Sequence, residues 1–60
     1  MTLEFKNRET GEILLTFFKD FAGLIPRVND DVIINGNHYV VSSVVHNLDE
    51  GEIIVYLLGE

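Results

Sequence analysis

Residues 31–41 read DVIINGNHYVV and carry the clearest local indication of secondary structure in the chain. Two runs rich in β-branched residues flank Asn35-Gly36. A type I′ turn needs a positive φ at both of its central residues, and Asn followed by Gly meets that need at low steric cost. The stretch therefore predicts a tight β-hairpin, with one strand over Asp31–Ile34 and a second strand that begins at Asn37.

The second strand of this hairpin is long. It extends over Asn37–Asn47 and has Ser42-Ser43 at its centre. If Tyr39 and Val41 face inward, strict alternation turns Val44 outward. A bulge or a bend at the paired serines would return Val44 to the core, as in the corners of small barrels. We therefore predict an irregularity at this point of the strand.

Three further apolar runs extend the pattern to five short strands. The first, Thr2 to Lys6, alternates polar and apolar residues, and a turn at 7–11, with Gly11 at positive φ, separates it from an antiparallel run at 12–18. A second turn at 48–51 precedes the last run, Ile53 to Leu58, which is apolar throughout. Short strands separated by turn signals are typical of a small barrel or sandwich.

The run at 12–18 has a helical alternative. Five apolar residues fall at helical spacings: Leu14, Phe17, Phe18, Phe21 and Ile25. Gly23 could be the C-cap of such a helix. The aromatic content and the preceding turn favour a strand, after which residues 19–25 form a loop or a single helical turn that ends before Pro26. We predict the strand and keep a helix over 12–22 as the alternative.

Charge and composition disfavour several classes of function. The chain of 60 residues has a formal net charge of −6, no cysteine, and no Lys or Arg in residues 31–60. Lys and Arg provide most of the affinity for nucleic acids and anionic membranes, so both partners are disfavoured. No segment approaches the roughly 20 apolar residues of a bilayer span, and the N-terminus lacks a signal-peptide pattern. We expect a single cytoplasmic domain over residues 1–60.

The residues that could support chemistry do not form a recognisable site. His38 and His46 could ligate a metal together with Asp49 or Glu52, but their spacing fits no standard metal motif. Ser42-Ser43 and His46 supply the residue types of a nucleophile and a base without a third orienting group or an oxyanion hole. We predict no catalytic, cofactor-binding or metal-binding residues, and a protein that is not an enzyme.

The last hairpin has apolar residues on both faces. A four-residue loop at 48–51 places Val45 opposite Ile54. One predicted face holds Val44, Ile53, Val55 and Leu57; the other holds Val41, Val45, Ile54, Tyr56 and Leu58. Because a barrel has one interior, the second face needs a cover. That cover is either the chain's own N-terminal hairpin or loop at 18–25, or a protein partner.

We interpret the second face as an interface, with Tyr56 as its anchor because aromatic residues dominate interface energetics. The predicted partner-binding residues are Val45, Ile54, Tyr56 and Leu58 on the face and Asp49, Glu50 and Glu52 in the adjacent turn. This acidic turn, joined in space by Asp30 and Asp31, would meet a basic protein surface. The alternative is a solvated loop that only keeps the protein soluble.

Several motifs together resemble a known family. The resemblance is carried by PRVNDDV at 26–32, Asn35-Gly36, Tyr39-x-Val41-x-x-Val44 and Val55-x-Leu57, and it covers residues 1 to 58. These motifs are similar to those of small SH3-like barrel proteins encoded by bacteriophages and other mobile elements. Asn29 stands where that pattern usually has Gly, and Asn tolerates the left-handed conformation. The resemblance implies an SH3-like barrel that binds peptides, proteins or nucleic acids with its loops and one face.

The combined prediction is an all-β fold, a small five-stranded SH3-like barrel built from antiparallel hairpins. The expected function is non-enzymatic protein binding, by a phage or mobile-element accessory protein that modulates or inhibits a host defence or regulatory protein. The partner is that host protein or a second copy of the chain, which would form a homodimer, with no nucleic acid and no membrane. A nucleic-acid-binding small β-barrel is the alternative; the fold favours it and the charge opposes it.

Overall fold

A computed structural model describes residues 2–17 and 25–59. These residues form five β-strands: β1 (Thr2–Asn7), β2 (Ile13–Phe17), β3 (Asp31–Ile34), β4 (Asn37–Asn47) and β5 (Glu52–Gly59). The all-β prediction is confirmed, and the second run is a strand, not a helix, over Ile13–Phe17. The predicted loop at 19–25 lies outside the described residues except for Ile25. Within the described ranges no helix could cross a membrane.

The five strands form one mixed sheet in the order β2-β1-β5-β4-β3. β1 and β2 are an antiparallel hairpin, and β3, β4 and β5 pair antiparallel in sequence. The two units join through β1 and β5, which run parallel from Thr2 opposite Glu52 to Asn7 opposite Leu57. The prediction of a fold built only from antiparallel hairpins is therefore wrong. Turn signals report only pairs of strands that are neighbours in sequence, whereas a parallel pair needs a long connection that no local signal marks.

The sheet curls into a half-barrel with β2 and β3 at its two edges. We call the side that holds the core the inner face and the opposite side the outer face. The core consists of Leu3, Phe5, Ile34, Val41, Ile53, Val55 and Leu57. Leu14, Ile25, Val32, Tyr39 and Val44 are partly buried against it. Four of the five described strands contribute side chains to this small core, so the packing of each of these strands depends on the others.

The β3–β4 hairpin has the predicted turn. Asn35 and Gly36 have φ values of 53° and 79°, and Ile34 lies opposite Asn37. Both central residues of the turn are therefore in the left-handed region that a type I′ turn requires. The local prediction is confirmed because its cause is local.

The predicted irregularity in β4 is a β-bulge. Val41 lies opposite Leu57 and Ser43 lies opposite Tyr56, so Ser42 is an extra residue without a partner position on β5. Val44 packs against the core, as predicted. The assignment of Val41 to the outer face is wrong, because the extra residue shifts the alternation and buries Val41 to 1% exposure. The predicted four-residue loop at 48–51 is confirmed by the pairing of β4 with β5 around it.

Two of the turns have the same construction. Residues 7–12 read NRETGE and residues 47–52 read NLDEGE. The Asn7 Oδ1 atom accepts backbone N–H hydrogen bonds of 2.9 and 3.2 Å within its turn, and the Asn47 Oδ1 atom accepts one of 3.2 Å from Glu50. Both turns end in a glycine with positive φ, 77° at Gly11 and 66° at Gly51. An asparagine side chain can hydrogen-bond the backbone of its own turn in this way, so the sequence places both turns locally.

A third turn attaches the segment before β3 to the bulged strand. Asn29 has a φ of 75°, which confirms the left-handed conformation predicted there. Its N–H donates to the Val41 carbonyl over 2.9 Å, and the Val41 N–H donates to the Asp30 carbonyl over 2.9 Å. The Asp30 carboxylate accepts from the Arg27 N–H over 2.8 Å. The turn therefore binds both the N–H and the carbonyl of Val41, at the point where β4 begins to bulge.

Candidate functional site

The outer face brings together the apolar residues that the sequence predicts as partner-binding. Ile54 lies opposite Val45 on one side and Glu4 on the other, and Leu58 is on the same face two residues beyond Tyr56. Val45 is 43% exposed and Leu58 is 36% exposed, while Ile54 and Tyr56 are half-buried. The opposite side of the same strand is the core, where Val55 and Leu57 have no exposed surface.

The N-terminal hairpin does not cover this face. It pairs with the edge of β5 through β1 and so extends the sheet sideways. Of the two internal covers considered from sequence, the hairpin is therefore excluded by its position. The loop at 18–24 lies outside the described residues.

The acidic turn lies at one end of the outer face. Asp49 and Glu50 are exposed, and Glu52 begins β5 half-buried. Asp31 lies opposite Val40, far along β4 from this turn. A strand rises roughly 3.3 Å per residue, which separates the two positions by about 20 Å. The prediction that Asp30 and Asp31 join the acidic turn is wrong, because the long β4 strand lies between them.

A cleft of about 360 Å³ opens on the outer face near the middle of β5, lined by Arg8, Ser43 and Tyr56. The Arg8 Nη1 atom donates to the Ser42 Oγ atom over 2.9 Å and to the Ser43 Oγ atom over 3.4 Å. The backbone N–H of Arg8 donates to the Leu57 carbonyl over 2.9 Å. The extra residue of the bulge lets two consecutive serines reach the same guanidinium. We call Arg8, Ser42, Ser43 and Tyr56 the arginine cleft.

The arginine cleft is a cationic spot in an acidic protein. Lys6 lies beside Tyr56 in the parallel pairing of β1 and β5, and both residues are on the outer face. Two of the four Lys and Arg residues, Lys6 and Arg8, therefore lie beside Tyr56, near the middle of β5, and the acidic turn precedes this strand. Along β5 the outer face thus has the acidic turn at one end, then Ile54 beside Val45, then the two cations beside Tyr56, with Leu58 beyond them.

No local pattern in the sequence marks the arginine cleft. Arg8 belongs to a turn and Ser42-Ser43 to a bulge, and the Arg8–Ser42 hydrogen bond joins residues 34 positions apart. The parallel pairing of β1 with β5 brings them together, since it places the end of β1 beside Leu57. The sequence would have revealed this site only if residues 2–6 had been predicted to pair with β5.

The two histidines lie apart from the outer-face sites. His38 Nε2 is 3.2 Å from Asp31 Oδ1, with 42% and 71% of the two side chains exposed, so this pair contributes little to stability. His46 is exposed near the end of β4. Within residues 2–17 and 25–59, no group of three His, Cys, Asp or Glu side chains is placed to hold a metal ion.

Comparison with known proteins assigns no family. No protein-family model matches the chain, and neither the curated proteins nor the solved structures include a significant match. The functional interpretation therefore depends on the geometry of the outer face.

Proposed function

We propose that this chain is a non-enzymatic protein-binding module that binds its partner with the outer face of β4 and β5. The observation that supports the proposal is the apolar character of β5 on both sides of the sheet. Val45 and Leu58 are left 43% and 36% exposed on the side away from the core. An apolar patch flanked by polar residues is typical of a protein interaction site.

The presence of both positive and negative charges on the outer face favours a protein as the partner. The acidic turn at 48–51 would face basic residues of the partner, and Lys6 and Arg8 would face acidic ones. Such complementarity steers association and sets the orientation of the complex. A partner of uniform negative charge, such as a nucleic acid, would be repelled by the acidic end.

The finer architecture and biological role belong to the same proposal. The curled sheet of five strands and the left-handed turn at Asn29 support an SH3-like barrel, although its strand order includes a parallel pair. With the resemblance to phage and mobile-element proteins, this supports an accessory protein that inhibits a host regulatory or defence protein in the cytoplasm. A second copy of the chain is the competing partner.

The experiment compares the wild type with Tyr56→Lys and with Val28→Lys as the matched control. Val28 is 52% exposed in a turn outside the outer face, so it receives the same charge at a different place. Burying Tyr56 in an interface is worth about 1.5–3 kcal/mol, and a lysine there would add a charge that an apolar interface cannot solvate. We expect Tyr56→Lys to abolish binding and Val28→Lys to retain it.

Two measurements report the outcome. Sedimentation velocity detects self-association, and quantitative affinity capture with mass spectrometry compares the proteins retained by each variant. Circular dichroism checks that both variants are folded. A wild type that is monomeric and retains no protein above the level of the Tyr56→Lys variant would refute the proposal. Unfolding of Tyr56→Lys would show that the residue is part of the core, which also refutes it.

A further inference from the structure

We infer that the arginine cleft binds a carboxylate group of the partner, carried by an acidic side chain or by a chain terminus. Three observations support this site: a cleft of about 360 Å³, the Arg8 guanidinium hydrogen-bonded to two serine hydroxyls, and the neighbouring positive charge of Lys6. The source of the carboxylate rests on the proposed function, whereas the chemistry of the cleft does not.

Most of the polar groups in the cleft that remain available to a ligand are hydrogen-bond donors. The two N–H groups of Arg8 Nη1 are directed to the Ser42 and Ser43 hydroxyl oxygens. Each serine therefore accepts from arginine and keeps its own O–H group to donate. Tyr56, which also lines the cleft, has a phenolic O–H donor. A site rich in donors selects an oxyanion.

Arg8 also keeps the edge of its guanidinium that best recognises a carboxylate. Its Nε and Nη2 atoms donate to no residue within the described ranges, since both side-chain hydrogen bonds of Arg8 there come from Nη1. These two nitrogens form a planar fork that matches the two oxygens of a carboxylate. The contacts to the serines orient that fork in advance, which reduces the entropy lost on binding.

Charge favours a carboxylate over a phosphate. The chain has a net charge of −6, and Lys6 and Arg8 are the two cations near the cleft in the described structure. The negative field of the whole protein opposes an anion in proportion to its charge, so it disfavours a carboxylate monoanion less than a phosphate dianion. The cleft is also within the size range of small-ligand sites, roughly 300–1,000 Å³, so it has room for the atoms that carry the carboxylate.

Arg8 could instead have a purely structural role, in which it only ties the β1–β2 turn to the bulge of β4. In that case its replacement lowers the melting temperature, and no carboxylate binds to the wild type. Binding of a small probe separates the two roles, because a structural contact needs no ligand.

The test is an NMR titration of the ¹⁵N-labelled full chain with three probes at matched ionic strength. N-acetylphenylalanine has one carboxylate and an aromatic ring that can contact Tyr56; N-acetylphenylalanine amide lacks the charge; inorganic phosphate supplies the other oxyanion. We expect saturable shifts of the backbone amides of Arg8, Ser42, Ser43 and Tyr56 with N-acetylphenylalanine and none with its amide.

Variants of Arg8 identify the group that binds. Arg8→Ala should weaken N-acetylphenylalanine binding about tenfold or more, as expected for loss of a charge-assisted hydrogen-bonded pair. Arg8→Lys keeps the charge without the fork and should bind with intermediate affinity. Arg27→Ala is the matched control, because it removes an equal charge from a turn outside the cleft, and it should leave binding unchanged. If Arg8→Ala is unfolded, Ser42→Ala and Ser43→Ala test the same donors.

Three results would overturn the inference: no saturable shift with N-acetylphenylalanine, equal binding of its amide, or tighter binding of phosphate. Equal binding by the wild type and the folded Arg8→Ala variant would overturn it as well. The proposed function can fail separately, because the titration needs no protein partner. Probe binding together with partner capture that Tyr56→Lys leaves intact would refute the outer-face interface and leave the cleft as an anion site.

Discussion

Several turns of this protein depend on single residues whose backbone adopts the left-handed conformation. Asn29, Asn35 and Gly36 have φ values of 75°, 53° and 79°. For residues with a Cβ this conformation costs roughly 1–2 kcal/mol, and Asn offsets part of the cost through hydrogen bonds of its side chain. In a domain whose core supplies about 3–5 kcal/mol, each of these turns is a large fraction of the total stability.

The Asn35-Gly36 turn gives a prediction at this scale. A Cβ at Gly36 would contact nothing within 4 Å, so Gly36→Ala adds backbone strain without a clash. We expect this substitution to lower the free energy of unfolding by about 1 kcal/mol and the melting temperature by about 4–8 °C. Urea denaturation and thermal melts followed by circular dichroism measure both quantities.

Gly59→Ala is the matched control for that prediction. Gly59 is not among the glycines with positive φ, and its Cβ would lie 3.9 Å from Tyr39 Cε1, an ordinary van der Waals contact. We expect Gly59→Ala to lower the free energy of unfolding by less than Gly36→Ala does. Equal losses in the two variants would contradict the assignment of the cost to backbone conformation.

At the scale of elements, the parallel pairing of β1 with β5 organises the sheet. It joins an N-terminal hairpin to a three-stranded unit and aligns Glu4 with Ile54 and Lys6 with Tyr56. Without it, Leu3 and Phe5 would not reach the core, and Arg8 would not reach the paired serines. The arginine cleft therefore exists only when the two units have docked in this orientation.

The parallel register predicts which engineered disulfide forms. The natural chain has no cysteine, so Glu4→Cys with Ile54→Cys gives a single pair of thiols at adjacent positions of neighbouring strands. Adjacent strands lie roughly 4.8 Å apart, within the Cα separations that a disulfide accepts. We expect this pair to oxidise in the native protein, as measured by mass spectrometry after alkylation.

The control for the disulfide is Glu4→Cys with Leu58→Cys. Leu58 lies four positions from Ile54 along β5, about 13 Å away at the rise of a strand, and should not be bridged. Rapid oxidation of the control pair with none in the first would show that β1 has a different register or direction.

At the scale of the whole molecule, the charge distribution decides between the two classes of macromolecular partner. The outer face has cations at the arginine cleft, but the chain as a whole has a net charge of −6. An aromatic residue beside Lys6 and Arg8 is a combination that single-stranded nucleic acids also use. Their affinity depends on several phosphate contacts, which two cations on a protein with a net charge of −6 do not provide.

We therefore expect no binding of duplex or single-stranded DNA or RNA at about 50 mM salt, the condition that most favours phosphate contacts. Fluorescence anisotropy with labelled oligonucleotides measures this. The variant Glu52→Lys, which reverses a charge at the acidic end of the outer face, shows whether that end prevents binding. Salt-sensitive micromolar binding by the wild type would favour the nucleic-acid-binding alternative over protein binding.

The strands of this protein and their turns could be predicted from sequence because their causes are local. The Asn35-Gly36 turn, the asparagine at Asn47 and the paired serines each act within a few residues of where they stand. The same patterns predicted which residues meet in the β4–β5 hairpin around its four-residue loop. The one error there, at Val41, arose because the assignment of faces continued the alternation of Val45 through the paired serines and did not apply the predicted bulge to Val41.

Tertiary structure decided the direction of β1 against β5, and with it which residues surround Tyr56. Arg8 and Ser42 are 34 positions apart, and neither has a local preference for the other. Their contact depends on how the two units pack around Leu3, Phe5 and Val55, which is a property of the shared core. The sequence by itself therefore determined where the strands and turns lie. Long-range packing decided how the strands assemble, because side chains distant in the chain select their partners only once a common core has formed.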